Sequence, residues 1–465
     1  MPRIILPNFR PSLLGLFVLF LGLMGCSASQ PSRPAKAPAM PQIHLDDDAS
    51  KAHPAKTTGN SATGSVNTQM PYPVMLGIDV LEQQGFDTVK GKRIGLLTHP
   101  AGVNRRGERT IDVLHRTPGV KLVALYGPEH GINGDILREV IVANSTDKRT
   151  GLPVFSVYGK DRKPTKQMLK GIDAMVIDLQ DIGTRSYTYI SAMRMTMEAC
   201  FENNIEVIVL DRPNPLGGLK VDGPPLDPQW TSYVGAFRVP YVHGLTIGEL
   251  AKMAKEAPGV LEVPDAVREK GRLTVIPMRG WRRSMRWPDT GLKWIPTSPM
   301  MPDYPAILGY PMTGLGTYLG GFTSGVGALH PFRGIAHKTL KSELIERELK
   351  NFKIPGIKLQ RIGDVNPDGK PGTGIYIEIT DFDAWRPTEL SFYLMKLSCK
   401  FEPTNPYLTA PQGKVGGFLR HMGSTAFFEA LKRDGAKVDV DSFVKDWQAR
   451  CKIYQQQAKK YWLYY

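Results

Sequence analysis

The sequence predicts an α/β protein in which a parallel-sheet domain precedes a smaller α+β domain. Between Gly91 and Pro213, short β-branched runs alternate with helical stretches, the pattern of strands joined by right-handed crossovers within one parallel sheet. Past about Pro240 this alternation stops, and a stretch rich in Trp, Pro, Gly and Met leads into a second set of helices and strands. Behind a polar amino-terminal stretch, roughly 400 residues remain, more than one hydrophobic core ordinarily serves. The expected division is therefore a leader over 1–25, a tether over 26–70, the parallel-sheet domain over 71–240 and an auxiliary domain with cleft-lining loops over 241–465.

The leader has the layout of a lipoprotein signal. Arg3 and Arg10 precede the apolar run Leu13 to Met24, and Gly25 then places a small residue before Cys26. An apolar run this short does not span a hydrocarbon core of about 30 Å as a helix, so cleavage before Cys26 and lipidation of its thiol are expected. The following Ser27-Ala-Ser29 lacks an aspartate of the inner-membrane retention kind, which favours an outer-membrane anchor facing the periplasm. From Ser27 to about Met70 the chain is rich in Ser, Ala, Pro, Lys and Thr, without the apolar periodicity that would offset the entropy of ordering it.

The formal charge of +15 suits an anionic polymer. No cysteine–histidine finger or arginine-rich arm points to nucleic acid, whereas cell-wall glycan carries the carboxylates such a surface attracts. With Cys26 lipidated, Cys200, Cys399 and Cys451 allow at most one disulfide, and their spacing suggests no metal site.

Five strands are expected in order, at Arg93–Thr98, Val120–Tyr126, Pro153–Tyr158, Ala174–Leu179 and Glu206–Leu210. Helices are expected at Lys166–Gly171 and Tyr187–Asn203, the latter placing Ile190, Met193, Met197 and Cys200 at helical spacing as core. Polar residues follow every strand: His99; Glu129 and His130; Tyr158; Asp178, Gln180 and Asp181; and Asp211, Arg212 and Asn214. Loops after parallel strands open on one face, so these groups are expected to converge in one cleft. No Gly-x-Gly-x-x-Gly follows the first strand, no phosphate-binding Gly-x-x-x-x-Gly-Lys-Ser/Thr loop occurs, and Gly-x-Ser-x-Gly is missing, so neither a nucleotide cofactor nor a serine nucleophile elbow is expected.

In the second half, Thr246-Ile-Gly-Glu249 has the spacing of a capping box and starts a helix. Residues 280–335, with Trp281, Trp287, Trp294 and Tyr318, read as irregular binding loops or as aromatics filling a core beneath loops. Helices are expected at Lys338–Asn351, Glu389–Cys399, Ser424–Arg433 and Val440–Tyr461, with strands near Ile357–Arg361 and Gly374–Thr380.

A carboxylic acid facing a carboxylate is the usual equipment for glycosidic cleavage, and Glu129 is the candidate acid, with Asp181 or Asp211 as partner. Pro128 and the apolar strand before it are expected to favour the protonated acid by desolvation. Arg185 and Arg212 offer forks for a substrate carboxylate, or neutralise Asp181 and Asp211. Two alternatives stay open. His99, His130, Asp181, Asp211 and His243 could ligate a hydrolytic metal, although no short His-x-x-x-His spacing supports it. The chain could also be a wall-binding lipoprotein without turnover.

Tyr126-Gly-Pro-Glu-His-Gly131, Asp178-Leu-Gln-Asp-Ile-Gly-Thr-Arg185 running into Tyr187-Thr-Tyr189, Asp211-Arg-Pro-Asn-Pro-Leu-Gly-Gly218 and His243-Gly-Leu-Thr-Ile-Gly-Glu-Leu250 together resemble the DUF1343 family, the exo-β-N-acetylmuramidases of the NamZ type. Pro296-Thr-Ser-Pro299, Trp385-Arg-Pro387 and the closing Lys460-Tyr-Trp-Leu-Tyr464 match in kind, so the resemblance runs from about Val74 to Tyr465. It implies a Rossmann-like catalytic domain, an auxiliary carboxyl-terminal domain, and removal of terminal N-acetylmuramic acid (MurNAc) from the non-reducing end of peptidoglycan fragments without a cofactor. Glu129 matches the family's catalytic glutamate. The other expected substrate-binding residues are His99, His130, Gln180, Arg185, Tyr187, Arg212, Asn214 and His243. The chain departs from the family pattern at Ser298-Pro-Met-Met-Pro302, and at Leu315-Gly-Thr-Tyr318 and 327–332, where apolar or aromatic residues replace polar ones.

Overall fold

The computed structural model describes residues 74–134, 143–326, 330–365 and 371–465, which belong to one contact unit spanning Gln69–Tyr465. The leader, the tether and Cys26 lie outside the described residues.

The first sheet has seven strands: β1 (Arg93–Thr98), β2 (Lys121–Gly127), β3 (Ser145–Thr146), β4 (Pro153–Ser156), β5 (Ala174–Asp178), β6 (Glu206–Leu210) and β7 (Leu273–Ile276), in spatial order β3-β4-β2-β1-β5-β6-β7. All neighbours pair parallel except β3 with β4. The chain therefore steps outward from β1 through β2 to β4, returns to the centre at β5, and steps the other way through β6 to β7. This is the doubly wound Rossmann order, with its switch point between β1 and β5. All five expected strands are present. β7 joins the same sheet beyond residue 240, the expected end of the first domain.

Burial follows from strand position. β5 is buried throughout and β1 is buried beyond its first residue, as expected of central parallel strands covered on both faces. On one face α1 (Gly77–Gln83) and α2 (Thr110–Arg116) pack on Ile94, Leu96, Leu125, Val176 and Ile208. On the other, α3 (Tyr189–Glu202) and α4 (Ile247–Glu256) pack on Leu97, Met175, Ile177 and Val207. Ile190, Met193, Met197 and Cys200 are buried in α3, as their spacing predicts. Thr246 caps α4 by accepting from the Glu249 backbone, and the Glu249 carboxylate accepts in return from the Thr246 backbone, completing the expected capping box. The expected helix at Lys166–Gly171 is a run of turns, while α5 (Asp265–Lys270) precedes β7.

The irregular stretch holds α6 (Tyr304–Thr313), opened by the Asp303 cap and Pro305 in its first turn. A four-stranded antiparallel sheet follows, from β8 (Phe322–Ser324), β9 (Gly334–His337), β10 (Ile357–Val365) and β11 (Pro371–Ile379), in order β10-β11-β9-β8. It is accompanied by α7 (Ser342–Asn351), α8 (Glu389–Phe401), the single turn α9 (Pro406–Thr409), α10 (Gln412–Met422), α11 (Thr425–Asp434) and α12 (Val440–Ala458). One apolar cluster runs from Leu97 and Met193 of the first layer through Ile335 and Phe392 to Phe418, so both sheets share a continuous core. Trp281 is buried in a separate small apolar cluster with Val74, Met278 and Met285, packed edge-on against Tyr464.

Candidate functional site

Glu129 stands on a turn immediately after β2. The Gly131 backbone N–H donates to the Pro128 carbonyl at 2.9 Å, and His130 and Gly131 follow in the left-handed region, at φ 70° and 72°. A histidine pays for that conformation where a glycine does not, so the corner is held by its surroundings. Glu129 is half-buried. The Tyr158 hydroxyl, from the loop after β4, donates to Oε1 at 2.8 Å, and the Thr188 hydroxyl donates to Oε2 at 2.7 Å. Thr188 is the N-cap of α3, whose partial positive end favours a nearby carboxylate. The loops after β2, β4 and β5 thus meet at one carboxyl group. Both hydroxyls can turn from donor to acceptor, so the same cradle accommodates Glu129 with or without its proton.

Beneath Glu129 lies a layer of tyrosines. Tyr189 stacks on His99 with ring centroids 4.6 Å apart and meets Tyr187 edge-on at 5.0 Å. Their hydroxyls converge on Thr297: Tyr187 meets its Oγ1 at 2.5 Å, and Tyr189 donates to its carbonyl. Burial raises both phenols, and the charges of Glu129 on Tyr189 and of Asp181 on Tyr187 act in the same direction.

Of the two candidate partner carboxylates, the structure separates a committed one from one with spare capacity. Asp211 is fully buried and accepts from Thr246 Oγ1 at 2.8 Å, the Gly248 N–H at 2.7 Å, the Arg212 N–H at 2.9 Å and the Tyr464 hydroxyl at 2.5 Å. Burial pushes its pKa up to about 6 against these donors. It fastens α4 and the carboxyl terminus to β6, with both oxygens engaged by these internal donors. Asp181 Oδ2 accepts from the Gly183 N–H at 2.8 Å and lies 3.2 Å from His243 Nε2, while Oδ1 accepts from no described residue.

Both expected substrate-binding arginines need correction too. Arg185 is fully buried and donates only to backbone carbonyls: those of Pro224 and Val239, and those of His421 and Met422 at the end of α10. Its partner is not Asp181; burial lowers its pKa to about 10. Arg212 grips Asp178, not Asp211, through Nε at 2.5 Å and Nη2 at 2.9 Å, and also the Val103 carbonyl. Arg185 therefore offers no fork to a substrate carboxylate, while Arg212, bound through its Nε and Nη2 edge, turns Nη1 away from these partners.

Among the rest, His99 accepts from the Gln180 N–H at 2.7 Å and is buried, which with Arg212 and His130 nearby holds it neutral, so it braces the loops after β1 and β5. Gln180 spends its amide N–H groups on the carbonyls of Asp181 and Pro213, leaving Oε1 buried without a described donor. Asn214 closes its own turn, donating to the Leu245 carbonyl and accepting from the Leu216 N–H. Gly183, at φ 80°, packs against the Asn214 amide where a Cβ would collide. His130 and His243 are buried beside Glu129 and Asp181 respectively. The five alternative metal ligands are not gathered around one point: among the described residues no cluster of three His, Cys, Asp or Glu is placed to hold an ion.

A cavity of about 200 Å³ opens beside the switch point, lined by Ala101, Val103, Gln180, Arg212, Trp287 and Trp294 among others. Trp287 and Trp294 meet edge-on there at 4.9 Å. In the divergent loop Leu315 is buried and Phe332 packs on Tyr310 at 5.0 Å, while Tyr318 is exposed. Residues 327–329 lie outside the described residues. Sequence reasoning missed Thr188, Tyr189, Tyr233 and Thr297 as neighbours of the site. Thr188 and Tyr189 stand inside the Tyr187-Thr-Tyr189 motif, which was the available signal.

The sequence matches the family model of the exo-β-N-acetylmuramidase NamZ N-terminal region over residues 94–305 and that of its C-terminal region over 308–464. It is 36% identical over 422 residues to the peptidoglycan β-N-acetylmuramidase NamZ of Bacillus subtilis (strain 168), covering 88% of this chain and 96% of that protein. Among solved structures, a DUF1343 family protein of Bacteroides fragilis NCTC 9343 superposes with a TM-score of 0.76 at 38% identity, covering 84% of this chain and 99% of that one. A second DUF1343 protein from the same organism gives 0.63 at 26% identity, with the same coverage.

Proposed function

Since the chain belongs to the NamZ-type exo-β-N-acetylmuramidase family and is a glycoside hydrolase, we propose that it releases terminal MurNAc from the non-reducing end of peptidoglycan fragments with Glu129 as general acid. The observation that carries this reading is the half-exposed Glu129 carboxyl, fixed by Tyr158 and Thr188 where three strand-end loops converge. Protonated, it delivers its proton to the leaving glycosidic oxygen as the anomeric carbon gains oxocarbenium character. Asp181, with one uncommitted oxygen, is the assisting carboxylate. In this reading Arg3, Arg10 and the apolar run direct export and are removed with the leader, and the lipid on Cys26 anchors the enzyme in the outer membrane, facing the wall it turns over.

The test is release of the leaving group from a chromogenic β-N-acetylmuramide, and of MurNAc from wall fragments, by the full-length protein. Glu129→Gln keeps the shape and loses the proton, so a rate loss of about 10²–10⁴-fold is expected with unchanged thermal stability. Equal release by wild type and variant would remove Glu129 from the mechanism, and no release by wild type would overturn the activity. Incorporation of labelled palmitate, abolished in Cys26→Ala, checks the anchor; persistent labelling of the variant contradicts it.

A further inference from the structure

Arg185 donates only to backbone carbonyls and Arg212 holds Asp178 through Nε and Nη2, so the muramide's distinguishing group, the carboxylate of its lactyl ether, calls for a cation not bound to an acid of the fold. Arg162, in the loop after β4, is exposed, and its guanidinium carbon lies 4.4 Å from the ring centre of Tyr233 and 6.0 Å from that of Tyr158. It makes no ion pair among the described residues, whereas its neighbour Lys163 is held by Glu202 at 2.8 Å and approaches Glu198 at 3.8 Å. A single tyrosine spans the interval between cation and acid: Tyr158 presents its ring to Arg162 and its hydroxyl to Glu129.

Tyr233 supplies an independent observation. Its side chain is buried, its hydroxyl has no hydrogen-bond partner among the described residues, and the charges of both Glu129 and Arg162 reach it. An unpaired buried hydroxyl is costly unless something completes it. Stacking on the aromatic face restrains the guanidinium plane and leaves its N–H edge for bidentate contact with a carboxylate, which an ammonium group does not reproduce.

We propose that Arg162, seated on Tyr233 beside Glu129, is the receptor for the lactyl carboxylate of the terminal sugar and thereby selects muramides over glucosaminides. This assignment rests on the reading of Glu129 given above. The glycosidic oxygen then faces Glu129 while the carboxylate meets the Arg162 fork.

The test compares full-length wild type, Arg162→Ala and Arg162→Lys on three glycosides with one chromogenic leaving group: the β-N-acetylmuramide, its lactyl methyl ester and the β-N-acetylglucosaminide. Loss of a charge-assisted contact predicts a fall in kcat/KM of about 10–100-fold for Arg162→Ala on the acid, chiefly through KM, with the ester unaffected and partial rescue by lysine. Equal losses on acid and ester would show that Arg162 serves packing, and an unchanged rate on the acid would show that it serves neither; either result overturns the assignment while leaving Glu129 in place. A wild type inactive on all three overturns the activity itself. Calorimetric titration with free N-acetylmuramic acid reads the same contact without turnover: weaker binding by Arg162→Ala supports the assignment, and equal binding contradicts it.

Discussion

Glu129 owes its direction to two neutral hydroxyls and to a strained corner, and among the described residues it forms no ion pair. Tyr158→Phe removes the donor to Oε1 while keeping the ring on which Arg162 leans. A lost hydrogen bond of this kind is expected to lower kcat roughly tenfold, with little change in KM because the ring surface remains. A variant with kcat intact, or one defective only in KM, would show that Tyr158 does not orient the acid. At this scale the sequence was informative about position and misleading about role. Placement at strand ends predicted that Glu129 and Asp181 lie on one face, because loops after parallel strands share it. The same reasoning could not tell Arg185, whose donors reach carbonyls at residues 224, 239, 421 and 422, from an arginine open to substrate, since those partners lie far apart in sequence. Arg162 escaped notice for the converse reason: it stands alone in a loop, and only folding brings Tyr158 and Tyr233 beneath it.

Elements were legible in proportion to how strongly burial dictated their composition. β1, β2, β5 and β6 lie in the interior of the sheet, so their β-branched runs stood out from the turns around them. β7, Leu273–Ile276, is a half-buried edge strand of four residues, too short and too mixed to announce itself. The expected helix at Lys166–Gly171 has little apolar face to bury, and only turns form there. α10 was hidden by Gly413, Gly416 and Gly417, which lower helix propensity. Its tertiary setting overrides that cost: the Gly423 left-handed cap ends it, and Arg185 takes its last carbonyls. A motif that reads as active-site chemistry therefore also works as a clamp between the catalytic layer and a helix more than two hundred residues later.

For the whole molecule, Asp211 joins three parts of the chain, and its ionisation gives that junction a pH signature. The carboxylate at the end of β6 holds the start of α4 through Thr246 and Gly248 and the chain terminus through Tyr464, whose hydroxyl also accepts from the Met278 N–H at 2.9 Å. Its pKa rises from an ordinary 3.8 to about 6 in the folded state. Between those values the folded protein holds a proton that the unfolded chain has released, so this group's contribution to stability falls as pH rises from about 4 to about 6. Above that window the ionised carboxylate relies on its donors. Tyr464→Phe removes one of them, an interaction worth about 1.5–3 kcal/mol to a charged acceptor and about 1 kcal/mol to a neutral one. The Met278 N–H loses its partner at every pH, so that loss cancels in the comparison. The variant's deficit in thermal midpoint is therefore expected to be larger at about pH 8 than at about pH 4.5. A deficit that is constant, or greater at the lower pH, would mean that Tyr464 stabilises the terminus by packing against Trp281 alone and that the Asp211 charge plays no part in closing the fold.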